Sequence, residues 1–132
     1  MPQENVEIVR HWIALTNAGD VPAILELLDP DIACFPAEDE PEAEAFRGRD
    51  AYARRAYEAR EAFDEHTVEV FEYIDLGDYV AVVARIHARG RMSQARVSAD
   101  EVWLIRFRDG KVVEYRECST KARALEFAGL GE

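Results

Sequence analysis

Cysteine and histidine are scarce in this sequence of 132 residues. The two cysteines, Cys34 and Cys118, and the three histidines match neither a metal-binding spacing nor a disulfide framework. We therefore predict that the protein binds no metal and no cofactor. Both cysteines are expected to be free thiols, as a reducing compartment would leave them.

Long apolar runs and positive charge are also lacking. No apolar stretch approaches the roughly 20 residues that a membrane-spanning helix needs, and the first residues do not resemble an export signal. The formal net charge of −11 repels phosphate backbones and anionic lipid headgroups. These absences predict a cytoplasmic protein that binds neither nucleic acid nor membranes.

The composition that remains is that of a folded domain. Hydrophobic residues make up 48% of the chain and charged residues 33%, and the seven glycines and five prolines form no low-complexity tract. The length suits one domain rather than two. We predict a single domain over residues 1–132.

Apolar spacing predicts three helices in the first half of the chain. Apolar residues recur at three- and four-residue steps from Val6 to Leu15, and Gly19 can end this helix in the left-handed conformation. Asp20 is the expected cap of a second, short helix that ends at Asp29-Pro30, before an extended piece. Asp50 is the expected cap of the third helix.

An acidic segment lies between the extended piece and the third helix. It runs from Glu38 to Glu44 and contains Pro41, which predicts a charged loop. Two interpretations stay open: the loop is solvated surface, or it is a mobile lid over the mouth of a pocket.

From His66 onward the apolar period changes to two, which predicts strands joined by tight turns. The four strands run from Val68 to Leu76, Val80 to Arg91, Val97 to Arg108 and Val112 to Ser119. A last short helix from about Lys121 to Ala128 follows. We predict an α+β fold in which a curved antiparallel sheet forms a cone around three N-terminal helices and encloses a concave space.

The turn Asp109-Gly110 decides which side chains of the last two strands face that space. A two-residue loop and a three-residue loop with a bulge at Gly110 give opposite groupings. Only the bulged loop separates apolar from charged side chains, so we predict it. It places on the concave face Trp103, Ile105 and Phe107 together with Val113, Tyr115, Glu117 and Ser119.

Glu117 is then an ionisable carboxyl on an apolar and aromatic surface. Burial there would raise its pKa toward neutrality, which suits a general acid or base. The alternative is an ordinary acid near a strand end that reaches solvent or pairs with an arginine. The predicted pocket residues around it are Trp12, Phe35, Tyr52, Trp103, Ile105, Tyr115 and Ser119, whereas His66 is expected on the surface.

Several motifs resemble the SnoaL-like family of the nuclear transport factor 2-like superfamily. They are Glu7-Ile8-Val9-Arg10-His11-Trp12, Gly19-Asp20, Asp29-Pro30-Asp31, Phe46-Arg47-Gly48-Arg49-Asp50 and Arg108-Asp109-Gly110-Lys111-Val112-Val113. The resemblance implies the cone fold. It also implies that Glu117 matches the acid that serves as general acid or base in SnoaL-type polyketide cyclases.

Membership of this superfamily would not determine the activity, because its members have many different functions. One hypothesis is a cofactor-free cyclase or isomerase that acts on a small carbonyl or polycyclic substrate; the others are a non-catalytic ligand-binding module and a dimerisation module. The sequence places no second acid inside, which a ketosteroid isomerase needs, and no arginine on the inner strand positions, which an epoxide hydrolase needs. A homodimer is expected through the outer sheet face, where Val102 and Leu104 interrupt the charges.

Overall fold

The computed structural model describes residues 2–40 and 42–129, which form four helices and six strands. The helices are α1 (Pro2–Ala18), α2 (Val21–Leu25), α3 (Arg49–Ala62) and α4 (Lys121–Phe127). The strands are β1 (Leu28–Phe35), β2 (Phe46–Arg47), β3 (Phe63–Asp75), β4 (Tyr79–Gly90), β5 (Arg96–Arg108) and β6 (Lys111–Cys118).

The strands form one curved, unclosed sheet in the order β2-β1-β6-β5-β4-β3, and the predicted α+β class is confirmed. One pairing departs from the antiparallel expectation, because β1 lies parallel to β6. These two strands are separated by most of the chain. No hairpin therefore dictates their relative direction, as one does for β3 to β6.

The predicted start of α2 is confirmed and two other boundaries are corrected. Gly19 has φ +75°, and the Asp20 carboxylate accepts a hydrogen bond from the Ala23 amide at 3.2 Å. The helix ends at Leu25, so Asp29 and Pro30 belong to β1 rather than to a helix end. α3 begins after Gly48 at φ +99°, which only a residue without a Cβ adopts easily, and Asp50 lies in its first turn.

The turn between β5 and β6 differs from the predicted bulged loop. Arg108 pairs directly with Lys111, and both residues between them have positive φ, +53° at Asp109 and +77° at Gly110. This is the two-residue hairpin loop with a left-handed conformation at both central positions. The Asp109-Gly110 dipeptide is suited to it because Asp tolerates this region and Gly occupies it without strain.

The irregularity occurs one pair later instead. Phe107 pairs with Val112 but Arg106 pairs with Glu114, so Val113 is an extra residue on β6. Beyond this bulge the side chains group as predicted: Ile105 lies opposite Tyr115 and Trp103 opposite Glu117. The predicted register is confirmed there, although the predicted position of the bulge was wrong.

Buried apolar side chains lie on both faces of the sheet. The larger cluster fills the space between the helices and the concave face and includes Val9, Leu28 and Val82, all without solvent exposure. On the opposite face α4 covers a smaller cluster, in which Leu104 and Ala124 are fully buried. Leu104 is therefore covered by the chain's own last helix, and it does not contribute to an apolar outer surface as expected.

Asn17 joins α1 to β3, a strand at the edge of the sheet. Its side-chain amide donates to the Val68 carbonyl at 3.1 Å, and its side-chain oxygen accepts from the Val68 amide at 2.7 Å. One side chain thus satisfies the backbone N–H and C=O of Val68, which point away from β4 at an edge where the described residues form no further strand. This contact fixes α1 against the sheet.

We expect Asn17→Ala to lower the free energy of unfolding by about 1–3 kcal/mol, because two hydrogen bonds are lost and two backbone groups lose their partner. Asn5→Ala is the matched control, since Asn5 donates one hydrogen bond to the Gly77 carbonyl. It should cost about 1 kcal/mol or less. Urea unfolding measures both, and equal losses would contradict the role assigned to Asn17.

Candidate functional site

A cavity of about 380 Å³ lies between the helices and the concave face of the sheet. This volume is within the usual range for small-molecule sites. Its helical wall comes from α1, α2 and α3, and its sheet wall from the inward-facing positions of the strands. α3 covers the cavity and packs against the core through the partly buried Tyr52, although none of its residues is fully buried.

Four aromatic side chains form a continuous part of the wall. The Trp12 ring lies 6.1 Å from Tyr52 and 5.5 Å from Tyr115 between centroids, and Tyr115 lies 6.0 Å from Trp103, with all three pairs tilted. The Trp12 indole N–H donates to the Tyr52 hydroxyl oxygen at 3.0 Å. The Tyr115 hydroxyl has no hydrogen-bond partner among the described residues, so it remains able to contact a ligand.

Six of the eight side chains predicted for the site line this cavity. They are Trp12, Tyr52, Trp103, Ile105, Tyr115 and Glu117. The predicted position of Phe35 is wrong because β1 pairs in register with β6 so that Phe35 lies beside Arg116 on the outer face. The Arg116 guanidinium carbon stacks 4.2 Å from the Phe35 ring centroid, and Cys34 takes the inward position.

Ser119 also lies outside the cavity. β6 ends at Cys118 and the chain turns there toward α4, so the alternation that predicted Ser119 inside no longer applies. Its hydroxyl donates to the Glu38 carboxylate, which also accepts from the Arg123 guanidinium at 3.4 Å. These contacts anchor one end of the acidic loop beside the start of α4.

The sequence analysis missed a second acid, Glu101. It precedes Trp103 by two residues on β5 and therefore shares its face, a signal that the alternation of the strand contained. Its carboxylate accepts a hydrogen bond from the Trp103 indole at 2.8 Å. Glu101 and Glu117 are diagonal neighbours on adjacent strands, because Glu117 lies directly opposite Trp103.

Burial, together with the smaller effects of the negative charges of Glu101 and Glu40, raises the pKa of Glu117 from its ordinary value of 4.5 to about 7. Burial also raises the pKa of Glu101, but the hydrogen bond from Trp103 opposes the rise. Glu101 therefore ionises first, and its charge holds the proton on Glu117. Near neutral pH Glu117 exchanges between its acidic and its basic form.

The acidic loop adds to the negative charge around the two cavity acids. The charge of Glu40 raises the pKa of both cavity acids, so the loop lies close enough to act on them. Cys34 and Tyr115 face Glu117 from β1 and β6, and burial raises the pKa of both, to about 12 for Cys34 and well above 10 for Tyr115. Both groups stay neutral, and neither can carry the positive charge that would stabilise an ionised Glu117.

Two arginines line the helical side of the cavity and a histidine lies at the start of β3, and none of the three was predicted for the site from the sequence. Arg55 and Arg60 flank the α3 stripe formed by Tyr52, Ala56 and Ala59, and His66 lies half-buried where a surface position was expected. Burial lowers the pKa of His66, and the Arg60 charge lowers it further. His66 is therefore neutral at pH 7.

Three further observations concern metal ligands, the cysteines and the length of the helices. No group of three His, Cys, Asp or Glu side chains within residues 2–40 and 42–129 is arranged to hold a metal ion. Both cysteines are buried free thiols. Among the helices that the structure describes, none is long and apolar enough to cross a bilayer.

A family model for the SnoaL-like domain matches residues 9–115, so the chain belongs to the SnoaL-like family. The match begins within α1 at Val9 and continues to Tyr115 in β6, so it includes the lining of the cavity up to Tyr115. No curated protein matches the sequence.

Solved structures agree with the family assignment. A nuclear transport factor 2-like protein from Burkholderia xenovorans LB400 is 30% identical, with 96% of this chain and 95% of that chain covered and a TM-score of 0.70. A SnoaL-like protein from Jannaschia sp. CCS1, provisionally designated a polyketide cyclase, is 21% identical over 98% and 94% of the two chains, with a TM-score of 0.77. TerC, co-crystallised with polyporic acid, is 18% identical over 96% and 98%, also with a TM-score of 0.77. The last two show the fold alone.

The raised pKa of Glu117 predicts a pH-dependent loss of stability. Below about pH 4.5 the carboxyl is protonated in both the folded and the unfolded chain, and its burial carries no ionisation cost. As the pH rises toward 7 the unfolded chain releases its proton first, so folding becomes less favourable. Glu117→Gln does not titrate, and it should exceed the wild type in stability by about 1–2 kcal/mol above pH 7, after discounting for partial solvent access.

Urea unfolding of both proteins at several pH values measures this difference, which should disappear near pH 4. Carboxyl titration by NMR gives the pKa itself, and Glu101→Gln should lower it because the neighbouring charge is removed. An unshifted Glu117 would identify an ordinary surface acid and contradict the placement of the site.

Proposed function

We propose that this cavity binds a small carbonyl or polycyclic molecule and that Glu117 transfers a proton on it without a cofactor. The observation that supports the proposal is a carboxyl with a pKa of about 7 among aromatic side chains in a cavity of about 380 Å³. Such a group is basic enough to take a proton and acidic enough to return it near neutral pH. We take residues 1–132 to be one domain with this activity.

The proposed step begins with ionised Glu117, which removes a proton from the carbon next to a carbonyl group. The electron pair moves onto the carbonyl oxygen, where a neutral hydroxyl such as that of Tyr115 donates a hydrogen bond. Protonated Glu117 then returns the proton to another carbon or to the oxygen formed in a ring closure. Atoms and charge balance within the substrate, so an isomerisation or an intramolecular aldol closure needs no co-reactant.

Glu101 is a positioning residue in this scheme. Trp103 holds its carboxylate by the indole hydrogen bond, and its charge adds to the effect of burial on the pKa of Glu117 rather than acting on the substrate. TerC, which shares the fold, was co-crystallised with polyporic acid, and this supports a small molecule as the ligand.

We further propose a cytoplasmic homodimer that does not bind nucleic acid. The net charge of −11 supports the last point, and the free thiols Cys34 and Cys118 suit a reducing compartment. Leu104 is covered by α4, but Phe71 on β3 is 52% exposed beneath the Arg85 guanidinium, and Val102 is only half-buried. These outer-face side chains are the ones that a second copy would cover.

Proton removal can be measured without knowing the natural substrate. We expect the protein to accelerate exchange of the α-protons of 2-tetralone, a bicyclic ketone, in D₂O, followed by ¹H NMR. Glu117→Gln should slow this exchange by about 100-fold or more, because the base is lost while the shape is kept. The rate should rise with pH through about 7 as Glu117 ionises, and Glu101→Gln should move this midpoint to lower pH.

The control is Glu114→Gln, on the same strand as Glu117. Glu114 lies opposite Arg106 on the outer face and pairs with Arg116 at 3.3 Å, so its replacement should leave exchange unchanged. If wild-type exchange equals the buffer rate, the cavity is a non-catalytic binding site. If Glu117→Gln exchanges as fast as wild type, another group is the base.

Light scattering at micromolar concentration tests the homodimer, which should have twice the monomer mass of 15.0 kDa. Phe71→Glu should yield a monomer because it places a charge in the apolar contact. Met92→Glu is the control, since Met92 lies in the turn before β5 and is 95% exposed. A monomeric wild type would contradict the proposal.

A further inference from the structure

Two arginines on the cavity wall have no anionic partner. The guanidinium groups of Arg55 and Arg60 make no ion pair and no hydrogen bond with any described residue, although the chain carries 27 acidic residues against 16 basic ones. Arg49 on the same helix shows the contrast, since its guanidinium donates to the Leu28 carbonyl. The two arginines beside the cavity are thus available to a ligand.

The acids at the start of β3, which follow Arg60 in the chain, are already paired. Asp64 binds Arg91 at 2.8 Å, and Glu65 binds Arg96 at 3.0 Å. Inside the cavity Glu101 accepts from Trp103 instead of from an arginine. Within the cavity lining the arginines therefore lie on the α3 side and the two acids on the sheet wall.

Neighbouring groups hold both guanidiniums in place. The Arg55 guanidinium carbon lies 4.6 Å from the centroid of the Phe46 ring, which stacks against it. The Arg60 guanidinium lies against Gly19, where a Cβ would have no room. Gly19 thus serves two purposes, because its φ of +75° ends α1 and its missing side chain admits Arg60.

Their charges also act inside the cavity. Arg55 lowers the pKa of the buried Cys34 thiol against the larger effect of burial, and Arg60 lowers that of His66. Cys34 and His66 both line the cavity, so a ligand in contact with them would experience the same positive potential.

We propose that the ligand of this cavity carries one anionic group, such as a carboxylate or an ionised acidic hydroxyl, which Arg55 and Arg60 bind together. The inference rests on the proposed small-molecule function and adds the chemical class of the ligand. A planar guanidinium can donate two parallel hydrogen bonds to a carboxylate, and two guanidiniums would fix the orientation of the ligand as well as increase its affinity. The apolar part of the molecule then lies against Trp12 and Tyr115, and its reacting carbon faces Glu117.

The two tryptophans of the chain both line the cavity, so their indole N–H signals report occupancy directly. We would titrate ¹⁵N-labelled protein at about pH 6 with 2-naphthoate, which is then ionised, and with the uncharged 2-naphthamide. The wild type should bind the carboxylate about 10- to 100-fold more tightly than the amide, as expected for hydrogen bonds to a charged group.

Arg55→Met and Arg60→Met keep the unbranched apolar part of the side chain and remove its charge. Each should reduce the affinity for naphthoate by about tenfold and leave that for naphthamide unchanged, and the double variant should abolish the preference. Arg54→Met is the matched control, because Arg54 is exposed on α3 as Arg55 and Arg60 are, but it does not line the cavity. It should retain the wild-type preference.

The outcomes separate this inference from the proposed function. Equal affinity of the wild type for both compounds, or an undiminished preference in the double variant, would overturn the anionic ligand while leaving a small-molecule cavity. Indole signals that move with neither compound would overturn both proposals. A variant with altered indole signals before titration is replaced by the lysine variant at the same position, which keeps the charge and should retain part of the preference.

Discussion

The pairing between β5 and β6 is the constraint on which the site depends. A two-residue turn at Asp109-Gly110 begins the hairpin, and the extra residue Val113 then shifts the register by one. Without this bulge Trp103 and Ile105 would share a face with Arg116 rather than with Glu117. A single inserted residue thus places an acid between aromatic rings instead of on the solvated face, and the sheet wall of the cavity follows from it.

The raised pKa of Glu117 follows from the surroundings that this pairing creates. Aromatic and aliphatic neighbours remove water, and nearby neutral groups such as Tyr115 and Cys34 offer no compensating charge. Glu101 adds repulsion because Trp103 favours its ionised form. Two acids close together are destabilising for the fold, which is the usual physical relation between a reactive group and the stability of its scaffold. The unpaired arginines on α3 place the opposite charge across the same space.

Several parts of this arrangement were predictable from the sequence because they depend on local rules. Gly19 and Asp20 mark a helix end and a helix start through backbone geometry alone, and α1 and α3 follow from three- and four-residue spacing. Glu101 was also accessible, since it alternates with Trp103 along one strand. It was overlooked because the alternation along this strand was followed only from Trp103 onward.

The α+β class and the apolar faces of the helices were predictable from the sequence because they depend on short-range periodicity. The association of Glu117 with Trp103 and Tyr115 was predictable because only one register separates apolar from charged side chains on the last two strands. The orientation of Cys34 rather than Phe35 toward the cavity was not predictable, because it depends on the parallel pairing of β1 with β6. The same holds for the covering of Leu104 by α4, and for the space that Arg55, Arg60 and His66 share with two acids. These contacts join elements far apart in the chain, and their geometry is set by the curvature and register of the whole sheet rather than by any local pattern.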